Sequence, residues 1–305
     1  MDKAASSRNV SKWADLHRDI LAMIFHKLDV RDIAMGASRV CISWFLASHN
    51  KTLWNTLDLA KVQQVEEGLS LRIIMKKIIK FFDINETRQN LRYITKLSQG
   101  APKNLFFNLD AYIQEDDLVF VAERMPNIEK LVLPRWCFQS KKSYQFAFSQ
   151  WRNLKTLIIA HDNLTGNFVF QEVGMNCNNL TNLKYFGDLR KNTAKLIVSY
   201  LQSLRRLSLQ CSFVRNDEVL LLITGLKNLR ILNFSHCKEL GGERIPNQEE
   251  ITIGNLKQAA IQNYVILLLC PKDNCRVCKA QPKFCMFWSY GSKIWRNDEI
   301  KELEF

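Results

Sequence analysis

The chain has 305 residues, 47% of them hydrophobic, and a net charge of +13 from 43 Lys and Arg against 30 Asp and Glu. That hydrophobic share belongs to chains that bury a core and excludes an intrinsically disordered one. No purely apolar run is longer than that of Val265 to Cys270, which is far too short for a membrane-spanning helix.

Met1 to Lys12 is polar, lacks the apolar core of a secretory signal and is expected to have no fixed structure. Nine cysteines, an odd number, in a chain with no export signal point to reduced thiols and so to the cytosol, the nucleus or both. The positive charge admits nucleic acid, an anionic surface or an acidic protein as partner. It is spread along the chain, and no interleaved aromatic and basic motif of an RNA-binding sheet is present, which disfavours nucleic acid.

From Leu16 the apolar residues Leu16, Ile20, Leu21, Ile24, Phe25 and Leu28 recur at helical spacing. One amphipathic helix is expected there, with Asp15 placed to cap its N-terminus. A second stripe follows in Ile33, Ala37, Val40, Cys41 and Trp44, opened by Asp29 or Asp32. A unit this small carries more apolar surface than it can bury. Its helices therefore pack on the rest of the chain or dock on a partner. Leu53-Trp54-x-x-Leu57-x-Leu59 reads as an exit strand. Residues 62–98 read as mostly helical, with a basic solvated face over Arg72 to Arg92 and a short stripe at Leu91, Ile94 and Leu97. Gly100-Ala101-Pro102 stops that helix.

Beyond it a period appears. Leu131-Val132-Leu133, Leu157-Ile158-Ile159, Leu183-Lys184-Tyr185, Leu207-Ser208-Leu209 and Leu232-Asn233-Phe234 follow one another at intervals of 26, 26, 24 and 25 residues. Three residues before each stands another apolar residue: Ile128, Leu154, Leu180, Leu204 and Leu229. Asn or Ser precedes each of those. Leu105 to Leu109 is a divergent unit at the front. Leu-x-x-Leu-x-Leu at a period of 20–29 residues is the signature of leucine-rich repeats. Each unit gives one short strand to a parallel sheet, and the helical stretches 116–124, 192–201 and 217–226 form the outer side. Gly241-Gly242 ends the array, and Leu256 to Leu269 is expected to be a final capping helix.

Within each strand the leucines point inward and the residues between them point outward. Ile158, Lys184 and Ser208 should therefore form a row across the sheet, with Phe186 and Arg206 beside it. No carboxylate occurs among the fifteen outward positions of the five strands. This row is the candidate substrate-binding surface and suits a protein segment that is acidic with an apolar anchor. The competing reading is a merely solvated sheet, with recognition in its edge loops.

Cys270-x4-Cys275-x2-Cys278-x6-Cys285 has metal-like spacing in its middle pair only. Zinc, a redox pair and reduced structural thiols all remain open; structural thiols are favoured and no metal is assigned. The aromatic stretch Phe287, Trp288, Tyr290, Ile294 and Trp295 is expected to pack back on the array. Only 11 glycines occur, with no phosphate-cradling loop, and none of the five histidines has a catalytic spacing.

The residues Leu16-x-x-Asp19-Ile20-Leu21-x-x-Ile24-Phe25-x-x-Leu28, then Asp32-Ile33, Val40-Cys41-x-x-Trp44 and Leu53-Trp54, resemble an F-box. That family docks on the Skp-type adaptor of cullin–RING ubiquitin ligases. One departure is His17, where the family usually has Pro. F-box followed by repeats resembles the plant-type F-box/leucine-rich-repeat proteins. The resemblance implies an α/β fold: an N-terminal helical F-box, then a short repeat solenoid with parallel concave strands and a helical convex side. It also implies adaptor binding through Leu16, Ile20, Leu21, Ile24, Phe25, Leu28, Val40, Cys41, Trp44 and Trp54. Residues 1–12 would be the polar start, 13–59 the F-box, 60–103 a helical linker or divergent repeat, 104–241 the repeats and 242–305 a capping segment. The chain would be the substrate-recognition subunit of an SCF-type E3 ligase, itself non-catalytic and without a cofactor. The alternatives are a repeat scaffold outside any ligase and, suggested by charge and tail cysteines, a zinc-containing nucleic-acid binder.

Overall fold

The computed structural model describes residues 12–59, 84–107, 113–134, 140–161, 168–239 and 251–270. They belong to two units, Met1–Pro102 and Lys103–Phe305. The polar stretch before Lys12, the basic face over 72–83, Cys137 and the cysteines beyond Cys270 lie outside the described residues.

In the first unit a 3-10 turn, Lys12–Asp15, precedes α1, Arg18–Phe25. Asp15 lies in that turn and does not cap α1. His17 is the cap, its ring accepting a hydrogen bond from the Asp19 amide at 3.4 Å. The second apolar stripe is not one helix either. It is broken into a π turn, Asp32–Gly36, a 3-10 turn, Ala37–Arg39, and α2, Ile42–Ser48. Gly36 ends the π turn, and its freedom to leave helical φ and ψ lets the chain change direction there. Another 3-10 turn, Lys51–Trp54, leads to β1, Thr56–Asp58. Leu21, Ala22, Phe25, Ile33, Ala34, Trp54 and Leu57 form the core of this part. Trp54 is fully buried, and its indole N–H donates to the Ser48 carbonyl at 2.7 Å, which removes the cost of burying the donor. In α3, Ile84–Ser98, the expected stripe Leu91, Ile94 and Leu97 is buried. The Tyr93 hydroxyl lies 3.2 Å from Ser38 Oγ, and the Arg39 guanidinium stands 5.1 Å over the Tyr93 ring.

The second unit is built on one parallel sheet. Its strands β2 (Asn104–Phe106), β3 (Lys130–Leu133), β4 (Thr156–His161), β5 (Asn182–Gly187), β6 (Arg206–Ser208), β8 (Ile231–Asn233) and β10 (Ile266–Leu268) are paired in that order. The short strands β7 (Phe213–Val214) and β9 (Lys238–Glu239) pair with each other beside it. The repeat period becomes register: Leu105, Leu131, Leu157, Leu183, Leu207, Leu232 and Leu267 lie opposite one another across the sheet. The last member corrects the sequence reading. Residues 256–269 are not one capping helix but the end of a helix and a further strand, so the array extends one unit beyond Gly242.

The helices α4 (Glu115–Arg124), α5 (Lys141–Gln150), α6 (Phe168–Asn176), α7 (Lys191–Tyr200), α8 (Asn216–Gly225) and α9 (Ile253–Gln262) each pack on the next. Adjacent parallel strands in chain order, joined by right-handed crossovers, put every crossover helix on the same face of the sheet. The turn into each strand repeats as well. The amides of Lys155 and Thr156 both bond to the Glu129 carbonyl, those of Thr181 and Asn182 to Lys155, and those of Arg205 and Arg206 to Thr181. In three repeats the small polar residue links to the repeat before it. The Asn179 side chain donates to the Arg152 carbonyl, Ser203 to Leu180 and Asn228 to Gln202. Each bond ties the side chain of one repeat to the backbone of the repeat before it.

Candidate protein-docking surfaces

The first surface is on α1 and α2. Positions 20 to 25 are all apolar, so α1 is apolar around its whole circumference. A helix like this needs two covers, one for each face. Leu21, Ala22 and Phe25 face the core, and Phe25 meets the Trp44 ring edge-on at 5.4 Å. Ile20, Met23 and Ile24, at i, i+3 and i+4, face outward, with Met23 70% exposed. On α2, Ile42, Phe45 and Leu46 repeat that spacing, with Ile42 78% exposed. Val40 and Trp13 are exposed too.

The structure therefore divides the ten expected adaptor residues. Ile20, Ile24, Leu28 and Val40 are exposed, and Leu16, Cys41 and Trp44 are half-buried. Leu21, Phe25 and Trp54 are buried and shape the unit from inside, so they cannot touch an adaptor. Merging both faces of α1 into one stripe hid this division. Met23, Ile42, Phe45 and Leu46 share this exposed surface without having been among the ten, and the unbroken apolar run in α1 was the signal for a second face.

The second surface is the sheet face opposite the helices. Phe106, Val132, Ile158, Lys184, Ser208, Asn233 and Leu268 form one row in register, and Ala160 stands opposite Phe186. The expected row is thus assembled, but it is not open. Ile158 and Lys184 are fully buried, and Phe186 and Ser208 nearly so. Arg206 is half-buried. Phe106, Val132, Ile158, Ala160, Phe186 and Cys211 form an apolar cluster of their own. Alternation predicts which side of the sheet a residue takes, not what lies over it, and that is why sequence reasoning expected a free surface.

At the strand entrances Glu129 lies between Lys155, whose Nζ is 2.7 Å from Oε2, and Lys103, 3.4 Å from Oε1. The hydrogen bond from Lys155 chiefly holds the Glu129 carboxyl below its usual range; Lys103 adds to this and partial burial opposes it. Burial pushes the Cys177 thiol up to about 12, so it stays protonated and donates toward the Trp151 carbonyl at 3.4 Å. Cys270 accepts from the His236 amide at 3.1 Å. A buried protonated thiol and one that accepts from the backbone are both structural uses of cysteine.

Residues 13–60 match the model of the F-box-like domain. The chain is 49% identical over 332 aligned positions to "Putative F-box protein At4g11580" of Arabidopsis thaliana, covering 99% of this chain and 98% of that one. It is 26% identical to "F-box/LRR-repeat protein At3g48880" of the same plant, covering 99% of both. The chain belongs to the plant F-box/LRR-repeat family. In this F-box/LRR protein the outward apolar patch of α1 and α2 lies inside the matched F-box, and the parallel sheet forms the repeat part.

Proposed function

We propose that this F-box/LRR protein is the substrate-recognition subunit of an SCF-type ubiquitin ligase. Its F-box holds a Skp-type adaptor, and through it the cullin–RING ligase, while its repeats hold a protein substrate. The observation that carries the reading is the outward apolar patch of Ile20, Met23, Ile24, Val40 and Ile42 within the F-box match. An exposed patch of this kind on so small a unit marks a protein interface. The chain itself performs no chemistry in this reading and works in the cytosol or the nucleus, where thiols stay reduced.

The test is co-purification of the full chain with the Skp-type adaptor. Ile20→Asp with Ile24→Asp places two carboxylates against the apolar adaptor surface, at a cost of several kcal/mol (roughly 2–7 kcal/mol each). Adaptor capture should be lost while the circular dichroism spectrum stays that of the unmodified protein, because neither side chain is in the core. Capture retained by this variant overturns the reading.

A further inference from the structure

All strands of the second unit's sheet run parallel, so the turns from helix to strand line one edge of it. The residues just ahead of the strands form a ladder along that edge: Lys103, Glu129, Lys155, Thr181, Arg205 and Arg230. The amide of Arg230 bonds to the Arg205 carbonyl at 2.8 Å. Arg152 and Lys227 stand in the turns that lead to Lys155 and Arg230. Lys103, Arg152, Lys155, Arg205, Lys227 and Arg230 are all exposed. Glu129 is the one carboxylate in these turns, and it already lies between Lys155 and Lys103. The opposite edge mixes both signs, with Glu115, Asp116, Asp117 and Asp217 in the first turns of α4 and α8. Positive charge that is spread in the sequence thus gathers on the entrance edge, because the repeat period brings these turns together.

The ladder ends on apolar side chains. Tyr264 holds the position that buried Leu204 and Leu229 hold in the repeats before it, yet it is 84% exposed. Its φ of 56° is left-handed, which costs a tyrosine. Ile261, whose carbonyl accepts from the Tyr264 amide at 3.2 Å, is exposed as well. So is Ile266, whose amide donates to the Arg230 carbonyl at 2.7 Å and so joins this group to the ladder.

We infer that this edge binds an acidic segment of a partner protein, with its carboxylates along the ladder and an apolar anchor at Ile261, Tyr264 and Ile266. From β2 to β8 the ladder spans roughly 24 Å at about 4.8 Å per strand. About seven extended residues match that length. A row of one sign attracts the opposite one over a distance, and tyrosine is a usual anchor of protein interfaces. The turns of the ladder favour a peptide over a nucleic acid. Their one aromatic residue, Trp151, is fully buried and offers no ring for base stacking. Asn153 and Asn178 are exposed there with both donors and acceptors, which a peptide backbone uses together. That the segment belongs to the substrate rests on the ligase reading; the surface does not.

The test uses the full chain alone and a fluorescent peptide of Glu and Asp that ends in leucine and phenylalanine. Binding is read as anisotropy at about 0.15 M salt, where long-range attraction is screened. The peptide should bind, and Arg205→Glu with Arg230→Glu should weaken it at least tenfold. Arg205→Gln with Arg230→Gln should weaken it by a smaller factor. Tyr264→Ser should weaken it at least threefold and abolish its advantage over a peptide ending in two serines. Lys142→Glu with Lys195→Glu alters the net charge as much as the first variant does, but in the helix layer, and should change binding less than twofold. All these side chains are exposed, so the circular dichroism spectra should match the parent's. No binding, or an equal loss in the helix-layer variant, overturns the surface. Unchanged binding in Tyr264→Ser overturns the anchor. Oligothymidylate of the same length binding more tightly than the peptide overturns the choice of partner. None of these outcomes alters adaptor capture, so the ligase reading is judged separately.

Discussion

His17 stands at φ −59° and ψ 144° immediately before α1, and its ring accepts from the Asp19 amide at 3.4 Å. That φ is the one a proline ring imposes. The residue that departs from the usual F-box sequence thus keeps the backbone that proline would set, and replaces the ring's constraint by a long, exposed hydrogen bond. Leu16 lies outside α1, so the restriction that proline places on its predecessor costs no helical bond.

His17→Pro should therefore stabilise the protein by about 0.4–1 kcal/mol, mainly by restricting the unfolded chain. Urea unfolding measures it, and adaptor affinity should stay within about twofold. A loss of stability larger than 1 kcal/mol would mean that the His17 ring matters more than its backbone.

Glu129 governs a pH dependence. Its folded pKa is lowered, so its contribution is present above the usual carboxylate value near 4.5 and is lost as pH falls through the lower folded value. The pair with Lys155 is partly exposed and screened, which limits the gain to about 0.5 kcal/mol. Glu129→Gln should lower the urea midpoint slightly at pH 7 and leave it unchanged below the folded pKa. High salt should shrink the difference at pH 7.

Much of this fold was legible because a repeat writes the same physics several times. Leu131, Leu157, Leu183, Leu207 and Leu232 announced a shared register, and the structure places them opposite one another. Leu267 escaped notice because Tyr264 replaces the aliphatic residue that precedes the other strands by three positions, although Asn263 stands in the small polar place, and a short apolar run is ambiguous between helix and strand. The F-box was legible as a motif, but its two faces were not, since helical spacing alone does not say which of two apolar faces meets the core. The row of Ile158, Lys184 and Ser208 was legible as a row. Its burial was not, because strand alternation fixes the side a residue takes and says nothing of what lies over it.

Gly174 in α6 has no room for a side chain. A Cβ there would run into the carbonyl oxygen and Cβ of Tyr200, at the end of α7. The obstacle is backbone in a packed helix layer, so the helices would have to move apart. Gly174→Ala should cost about 1–3 kcal/mol despite alanine's better helix propensity. Chemical denaturation of the full chain measures the loss, and a neutral or stabilising result would show that α6 and α7 slide freely.

Glu218, in the first turn of α8, carries the opposite sign from Glu129. It is buried, and its Oε2 has no hydrogen-bond partner. Desolvation chiefly raises its pKa, with Asp217 adding to this, while its own amide, Arg215 and Lys191 oppose it. The folded state therefore binds the proton more tightly than the unfolded chain does. Stability tied to this group is greatest below the usual carboxylate value near 4.5 and falls as pH rises through the raised folded value. Glu218→Met fills the same space without a charge or an unsatisfied oxygen. It gains the desolvation cost of about 1–3 kcal/mol and gives up the favourable helix N-terminal charge, worth about 0.3–1 kcal/mol. The net expectation is a gain of about 1 kcal/mol at pH 7 that shrinks toward pH 4, read as urea midpoints of both proteins across that range. A variant less stable than the parent at pH 7 would mean that the Glu218 carboxylate is held by its cationic neighbours more strongly than burial disfavours it.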